Sequence, residues 1–404
     1  LIASDPKEFS YLILKGNLYE ILNKRDSAEA LYIKAEKMNP EASAPKLALM
    51  EVYRDRGDSA AYDNKVYEVL LTEDLEREQK VAFLSQYLQR IIDDDADTGR
   101  GDYLFSVLRN QYPHEPDVLN LAARYSAAKE DYDDAAEQIG YAIDMDPKNT
   151  QYYQQRMYYL ANADRVDDAI KAYEDAEKHV EMTDNMKLYG GLLLQNAGRK
   201  EEAMALYRKL VHNVDSTLDI DREIDLGKDI RKDITMEELN FLSITLSSMG
   251  DCAFSSNDTT AAFRDYRNAL VLNPDNALAA NNYAYFSATH GGNLEEALRY
   301  SEKSLKGDNA NNPTYMDTYA WILYLLDKND EALEVQTRTL EEMEKAGTPD
   351  PEALNHYGDM LKKAGRDEEA VEYWKKTLEL NPDDAETIQE KIESANCVKD
   401  KEEK

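Results

Sequence analysis

The fold class that these 404 residues predict is an all-α solenoid, a superhelix of about ten helix-turn-helix repeats closed by a C-terminal capping helix. Three observations predict it. Prolines recur in phase: Pro6 and Pro40 stand 34 residues apart, as do Pro113 and Pro147, and the 108 residues from Pro274 to Pro382 make three such periods plus six. Twelve positions before Pro40, Pro147, Pro274 and Pro382 stand Ala28, Ala135, Ala262 and Ala370. Each is followed four residues later by Tyr32, Ile139, Tyr266 or Trp374, and three further on by Ala35, Ala142, Ala269 or Thr377. Two stretches nearly repeat one another, ALVLNPDN at 269–276 and TLELNPDD at 377–384. A fixed period of this size marks a repeat array, in which no unit can bury its apolar face alone.

The elements follow in order. Residues 1–8 read as the end of an upstream repeat, because Pro6 is in phase with Pro40; this implies an earlier repeat, with room upstream of it for a signal sequence. An N-terminal array of six units spans 9–214, as 9–42, 43–74, 75–115, 116–149, 150–183 and 184–214. Its second and third units are degenerate: Tyr62 replaces the small residue expected early in the second helix, and an acidic loop, DDDADTGRGD at 93–102, separates two longer helices. Residues 215–235 mix Ile and Leu with dense charge at no sustained period, and read as a connecting insertion, an extended linker or a partner contact. A C-terminal array of four units spans 236–384, as 236–276, 277–311, 313–346 and 351–384. In 385–404, Ile388, Ile392 and Ala395 form one stripe, which predicts a capping helix followed by the charged tail KDKEEK.

Within a unit the first helix carries Gly16 and Tyr19 in one copy, Gly358 and Leu361 in another. Gly16, Gly190, Gly191, Gly250 and Gly358 lie inside helical patterns, where glycine costs about 1 kcal/mol against alanine. Close crossing of the pair, with the second helix's alanine facing the glycine, is the expected compensation. Between the helices, AGRKEEA at 197–203 and AGRDEEA at 364–370 place Gly198 and Gly365 as helix-ending turns, with acids opening the next helix. Tyrosine outnumbers phenylalanine 28 to 7; in an array only one helix deep, a ring with a buried body and a wet hydroxyl is well suited.

These residues and their spacing resemble the tetratricopeptide repeat, and the resemblance covers nearly the whole chain. It is clearest in 9–42, 236–276 and 351–384, the last reading ALNHYGDMLKKAGRDEEAVEYWKKTLELNPDD from Ala353 onward. The resemblance implies a concave face lined by the first helices and a non-catalytic scaffold that holds a protein or peptide there. Its ligand-facing positions in the last three repeats are Asn281, Tyr285 and Ala288; Asp317, Trp321 and Tyr324; and Asn355, Asp359 and Lys362. Aromatic, amide and carboxylate groups suit an extended segment or helix of basic character, though Trp321 suits core and groove alike. The style of DTYAWILYLLDKNDEALE at 317–334 is similar to that of bacterial members, many exported or lipid-anchored in the cell envelope; cytoplasmic residence stays open.

Composition narrows the function further. Lys and Arg number 48 against 81 Asp and Glu, a formal charge of −33, which argues against nucleic acid and anionic membranes as partners. No apolar run is long enough for direct membrane insertion. Cys252 and Cys397 stand alone and the five histidines are scattered, so neither a metal site nor a cofactor is indicated. HGGN at 290–293 lacks a Gly-x-Ser-x-Gly nucleophile elbow to serve. Arg100-Gly101-Asp102 is explained by the acidic loop, and Asn257-Asp258-Thr259 is a formal glycosylation sequon. No enzyme emerges. A regulatory or targeting arm of a larger enzyme and a self-assembling structural protein are the alternatives, and the oligomeric state is left open.

Overall fold

The computed structural model describes residues 8–94, 99–382 and 384–402; the closing turn expected at 1–6 lies outside them. Among the described residues there is no strand. The chain forms two compact units, one up to Met186 and one from Lys187.

The first unit holds five helix pairs: α1 (Ser10–Ile21) with α2 (Arg25–Met38), α3 (Ser43–Arg56) with α4 (Ser59–Leu70), α5 (Arg77–Asp94) with α6 (Gly99–Gln111), α7 (Pro116–Ala128) with α8 (Tyr132–Met145), and α9 (Thr150–Asn162) with α10 (Val166–His179). The division falls in the first turn of α11 (Asp184–Asn196), which pairs with α12 (Lys200–Val214). The second unit continues with α13 (Met236–Ser255) and α14 (Thr259–Leu272), α15 (Ala277–Thr289) and α16 (Leu294–Ser304), α17 (Pro313–Leu325) and α18 (Asn329–Ala346), α19 (Pro351–Lys363) and α20 (Asp367–Glu379), and ends on α21 (Ala385–Glu402). This is an all-α solenoid architecture. The segment 215–235 lies inside the second unit.

The turns form where the residues dictate. Gly198 and Gly365 take φ +74°, the left-handed conformation that ends a helix and that a Cβ disfavours. Asp58, Asp131, Asp258, Asn276, Asn293 and Asn312 each accept the amide that opens the following helix, which satisfies a donor the helix cannot. Asp258 thereby gives the sequon at 257–259 a capping role.

The helical glycines pack differently from the expectation. At Gly16, Gly191, Gly250 and Gly358 an added Cβ would overlap the rings of Tyr32, Tyr207, Tyr266 and Trp374. The aromatic four residues after the alanine, rather than the alanine itself, occupies the space that glycine leaves. In three of these pairs the residue after the glycine accepts the ring's proton: Tyr32 to Asn17 at 2.8 Å, Tyr266 to Asp251 at 2.6 Å and Trp374 Nε1 to Asp359 at 3.1 Å. A buried hydroxyl without a partner would cost about 1–3 kcal/mol, so the acceptor is part of the device.

The third pair departs from the repeat. α5 and α6 meet little; α5 packs on α7, and α6 on α4 and α7, through a cluster that includes Val66, Leu84, Leu88, Leu104, Leu108 and Leu121. Arg100-Gly101-Asp102 is helical, in the first turn of α6, which corrects that end of the loop expected at 93–102; residues 95–98 lie outside the described residues. Gly101 lies against Tyr125, whose hydroxyl donates to Asp102 at 2.9 Å, so the tripeptide repeats the glycine–acceptor device.

The insertion at 215–235 is a strap held on α14 and α12. Leu218, Ile220 and Ile224 are buried. Asn268 of α14 donates to the Arg222 carbonyl at 2.9 Å and accepts from the Ile224 amide at 3.0 Å. Arg208 of α12 makes a two-point pair with Asp221 at 3.0 and 2.7 Å. At the end of the chain Ile388, Ile392 and Ala395 are buried against Tyr357, Leu361 and Trp374. α21 then runs on to Glu402, so the tail expected after the capping helix is helical that far.

Candidate functional site

Alternate helices α15, α17, α19 and α21 are the first-helix members of the last three pairs and the cap, and their facing residues form a cavity of about 540 Å³. Its floor is built by helical spacing. Glu352, Asn355, His356 and Asp359 fall at i, i+3, i+4 and i+7 of α19, on one stripe; Trp321 comes from α17, Thr289 from the end of α15, and Lys391 from α21. Asp350 sits at the mouth as the N-cap of α19, its Oδ1 accepting from Glu352 N at 2.8 Å and Ala353 N at 3.1 Å. Asp384 borders the far side.

His356 is the centre of the wall. It is 6% exposed, its Nδ1 lies 3.0 Å from Asp317 Oδ2, and its ring stacks on Trp321 with centroids 4.0 Å apart and planes 15° apart. Trp321 also stacks on Tyr324 at 4.9 Å. Burial pushes the imidazole pKa down, but the neighbouring Asp317 carboxylate, with Glu352 and Asp359, outweighs it and holds the ring above its ordinary value. Asp317 itself is buried and also accepts from Gln336 Nε2.

The residues predicted from the sequence divide into three groups. Trp321, Asn355 and Asp359 line the cavity. Asp317 and Tyr285 stand behind it: Asp317 orients His356, and the Tyr285 hydroxyl crosses from α15 to donate to Glu352. Burial, then the Glu352 contact, raises the Tyr285 hydroxyl above its ordinary pKa. Asn281, Tyr324 and Lys362 do not line the cavity. Asn281 is buried, its Nδ2 donating to Asn282 at 3.3 Å; Tyr324 lies under Lys363 Nζ, 4.5 Å from its ring centroid; Lys362 pairs with Asp367 at 2.8 Å.

Sequence reasoning missed Glu352, His356 and Lys391. The first two share a stripe with Asn355 and Asp359 and were legible from spacing. Lys391 was not, because its meaning depends on where α21 docks: Nζ donates to Asn355 Oδ1 at 2.9 Å and to both oxygens of Asp359 at 2.7 Å. HGGN is a turn, with His290 edge-on to Phe254 at 4.8 Å and Asn293 capping α16. No group of three His, Cys, Asp or Glu side chains among the described residues is placed to hold a metal ion.

Stacked helix pairs presenting a side-chain-lined cavity on their first helices define an interaction scaffold. Residues 9–41, 157–216 and 235–382 each match the tetratricopeptide repeat. The chain belongs to the tetratricopeptide repeat proteins. A solved tetratricopeptide repeat protein from Parabacteroides merdae ATCC 43184 is similar at 15% identity and a TM-score of 0.48, over 69% of this chain and 98% of that one. YrrB, described as a TPR protein with an unusual peptide-binding site, is similar at 13% identity and a TM-score of 0.34, over 61% of this chain and 95% of that one. No curated protein matches the sequence. Among the described residues no helix is long and apolar enough to cross a membrane.

Proposed function

We propose that this chain is a non-catalytic scaffold that holds a segment of a protein partner along the first-helix face of α15, α17, α19 and α21. The observation that carries the reading is the cavity itself, in which carboxylates, an amide and an aromatic wall converge from three helices. Convergent polar groups around an aromatic surface are the make-up of a recognition site. The partner segment has basic character, since Asp350, Glu352, Asp359 and Asp384 outnumber Lys391 and His356 around the cavity and the chain as a whole carries −33. That charge also disfavours nucleic acid. Residence in a bacterial cell envelope belongs to the same proposal and rests on the style of the repeats; cell fractionation tests it.

Photo-cross-linking tests the binding face. A photoreactive residue at Thr289, at the cavity edge, is expected to capture the partner, and one at Lys375, exposed on α20, is not. The captured partner, once purified, should bind a Tyr285→Phe, Trp321→Ala, Asp359→Asn variant at least about tenfold more weakly. Unchanged affinity, or capture through Lys375 alone, places the binding surface elsewhere.

A further inference from the structure

We infer that the cavity between α17, α19 and α21 receives one lysine or arginine side chain of the held segment, and that His356 releases a proton as that side chain enters. The inference rests on the reading above that this face holds a protein segment.

The first observation is an uneven pairing of charge. Of the four carboxylates at the cavity, Asp359 alone is neutralised by a lysine, with Lys391 Nζ at 2.7 Å. The other three take hydrogen bonds from neutral donors. Asp350 caps the backbone amides of α19, Glu352 accepts from the Tyr285 hydroxyl, and Asp384 accepts from Asn355 Nδ2 at 3.4 Å. Among the described residues no lysine or arginine makes an ion pair with any of these three. The Lys391 contact shows on this same wall how an amide and a carboxylate grip an ammonium group.

The second observation is independent of the carboxylate count and concerns the second nitrogen of a largely buried imidazole that lines the cavity. The His356 side chain is 7% exposed, lines the cavity and commits Nδ1 to Asp317. Nε2 makes no hydrogen bond among the described residues, and Glu352 Oε1 is 3.9 Å away. With Nδ1–H held by Asp317, Nε2 is where the ring gains or loses its second proton. As a lone pair it accepts from an ammonium or guanidinium group; as N–H it repels one. The guest cation and the proton therefore compete for the space between Nε2 and Glu352.

The groups facing His356 make the exchange feasible. They are Asp317 and Trp321 on α17, Gln336 on α18 behind Asp317, Tyr285 on α15 through Glu352, Lys391 on α21 through Asp359, and Glu352 and Asp359 on its own helix. Asp317, Glu352 and Asp359 favour the charged ring against the burial that opposes it, so the proton and a guest cation are drawn to the same group of carboxylates. The volume of about 540 Å³ admits such a side chain with water.

The test is a titration of the full ¹⁵N-labelled chain followed at its two tryptophan indole signals, Trp321 being assigned with Trp321→Phe. The probes are acetyl-Gly-Ser-Arg-Ser-Gly-amide and the same peptide with citrulline, a neutral isostere, for arginine. The arginine peptide is expected to shift the Trp321 signal saturably and the citrulline peptide to bind at least about tenfold more weakly. Arginine-peptide affinity should rise about tenfold or more from pH 6 to pH 8, and His356→Gln should abolish that rise while keeping the preference for arginine. Glu352→Gln should weaken arginine binding about tenfold, whereas Asp167→Asn, the same charge change on distant α10, should not.

Equal binding of the two peptides at Trp321 overturns the cationic subsite and leaves the groove standing. Equal effects of Glu352→Gln and Asp167→Asn show diffuse attraction and overturn it too. A pH dependence that survives His356→Gln overturns the proton exchange. No response at Trp321 from either peptide removes the subsite, and the cross-linking result then decides the groove by itself.

Discussion

Gly250→Ala separates the packing argument from helix propensity, because the two predict opposite signs. Alanine in a helix interior is favoured over glycine by about 1 kcal/mol, so propensity alone makes the variant more stable. The structure puts the Tyr266 ring where the new methyl would go, with ring carbons inside 3.0 Å of an ideal Cβ. Tyr266 is wholly buried and cannot swing outward. Overpacking of this kind costs about 1–3 kcal/mol. Moving the ring also strains the 2.6 Å bond from its hydroxyl to Asp251, worth about 1.5–3 kcal/mol for a charged acceptor. Asp251 also accepts from Asn282 at 2.8 Å, so the loss reaches the next repeat. Set against the propensity gain, a net destabilisation of about 2–4 kcal/mol is expected. Long repeat arrays do not unfold in one step, so the measurement is amide hydrogen exchange resolved to α13 and α14. Their protection should fall by about 1.5 to 3 orders of magnitude at about 1.4 kcal/mol per decade. Protection equal to the parent or above it would refute the account of the helical glycines.

Three further outcomes follow from the same structure. Asp265 is buried and, by that burial more than its Arg264 contact corrects, its pKa is raised from 3.8 to about 6. A carboxyl so shifted contributes stability that is full below pH 3.8 and lost as pH rises through about 6. The gap from 3.8 to about 6 corresponds to about 3 kcal/mol, so Asp265→Asn should raise the amide-exchange protection of α14 at pH 7.5 and not at pH 4. A shift of equal size at both values would deny the burial penalty. Asn268→Ala removes both bonds to the strap backbone and orphans two of its polar groups, at about 1–3 kcal/mol each; tryptic cleavage after Arg222 or Lys228 should accelerate at least tenfold, and an unchanged rate would mean the strap is held elsewhere. Gly365→Ala meets open space but keeps φ at +74°, so amide exchange in α19 and α20 should show a loss of about 1–2 kcal/mol, less for Gly365→Asn.

What the letters revealed and what they hid follow one physical division. Signals within one helix or one turn were readable: the prolines at 40, 113, 147, 274 and 382 each close a helix pair, Gly198 and Gly365 adopt the turn their neighbours implied, and Ile388, Ile392 and Ala395 form the buried stripe of α21. Contacts between helices were readable only by type. That a glycine needed a close neighbour was evident, but whether alanine or the tyrosine four residues on supplied it depends on side-chain direction across the pair. The tripeptide at 100–102 misled because acidic residues before it suggest a loop, while Gly101 is covered by Tyr125, a residue more than twenty positions away on the next helix. In the site, Asn281 and Lys362 hold the expected positions on their helices and are still absent from the cavity wall.

The carboxylates limit how such an array can evolve a binding face. Asp251 is met by Asn282 at 2.8 Å, Asp317 by His356 at 3.0 Å, and Asp359 by Lys391 at 2.7 Å. Each acid on one first helix is thus gripped by a donor on the next, so positions that a groove would use also hold successive repeats together. A half-buried acid without its donor would lose more in desolvation than its charge could return. Ligand recognition is then left to groups that stacking does not consume: the second nitrogen of His356, the far oxygen of Glu352 and the carboxylates at the mouth. A substitution at Asp359 therefore perturbs both the seating of α21 and the site, whereas one at Glu352 leaves the stacking bond between Asp359 and Lys391 in place. Comparing the two by exchange at α21 and by peptide affinity separates scaffold from recognition. If Glu352→Gln loosens α21 as much as Asp359→Asn does, the two roles are not divided in this way.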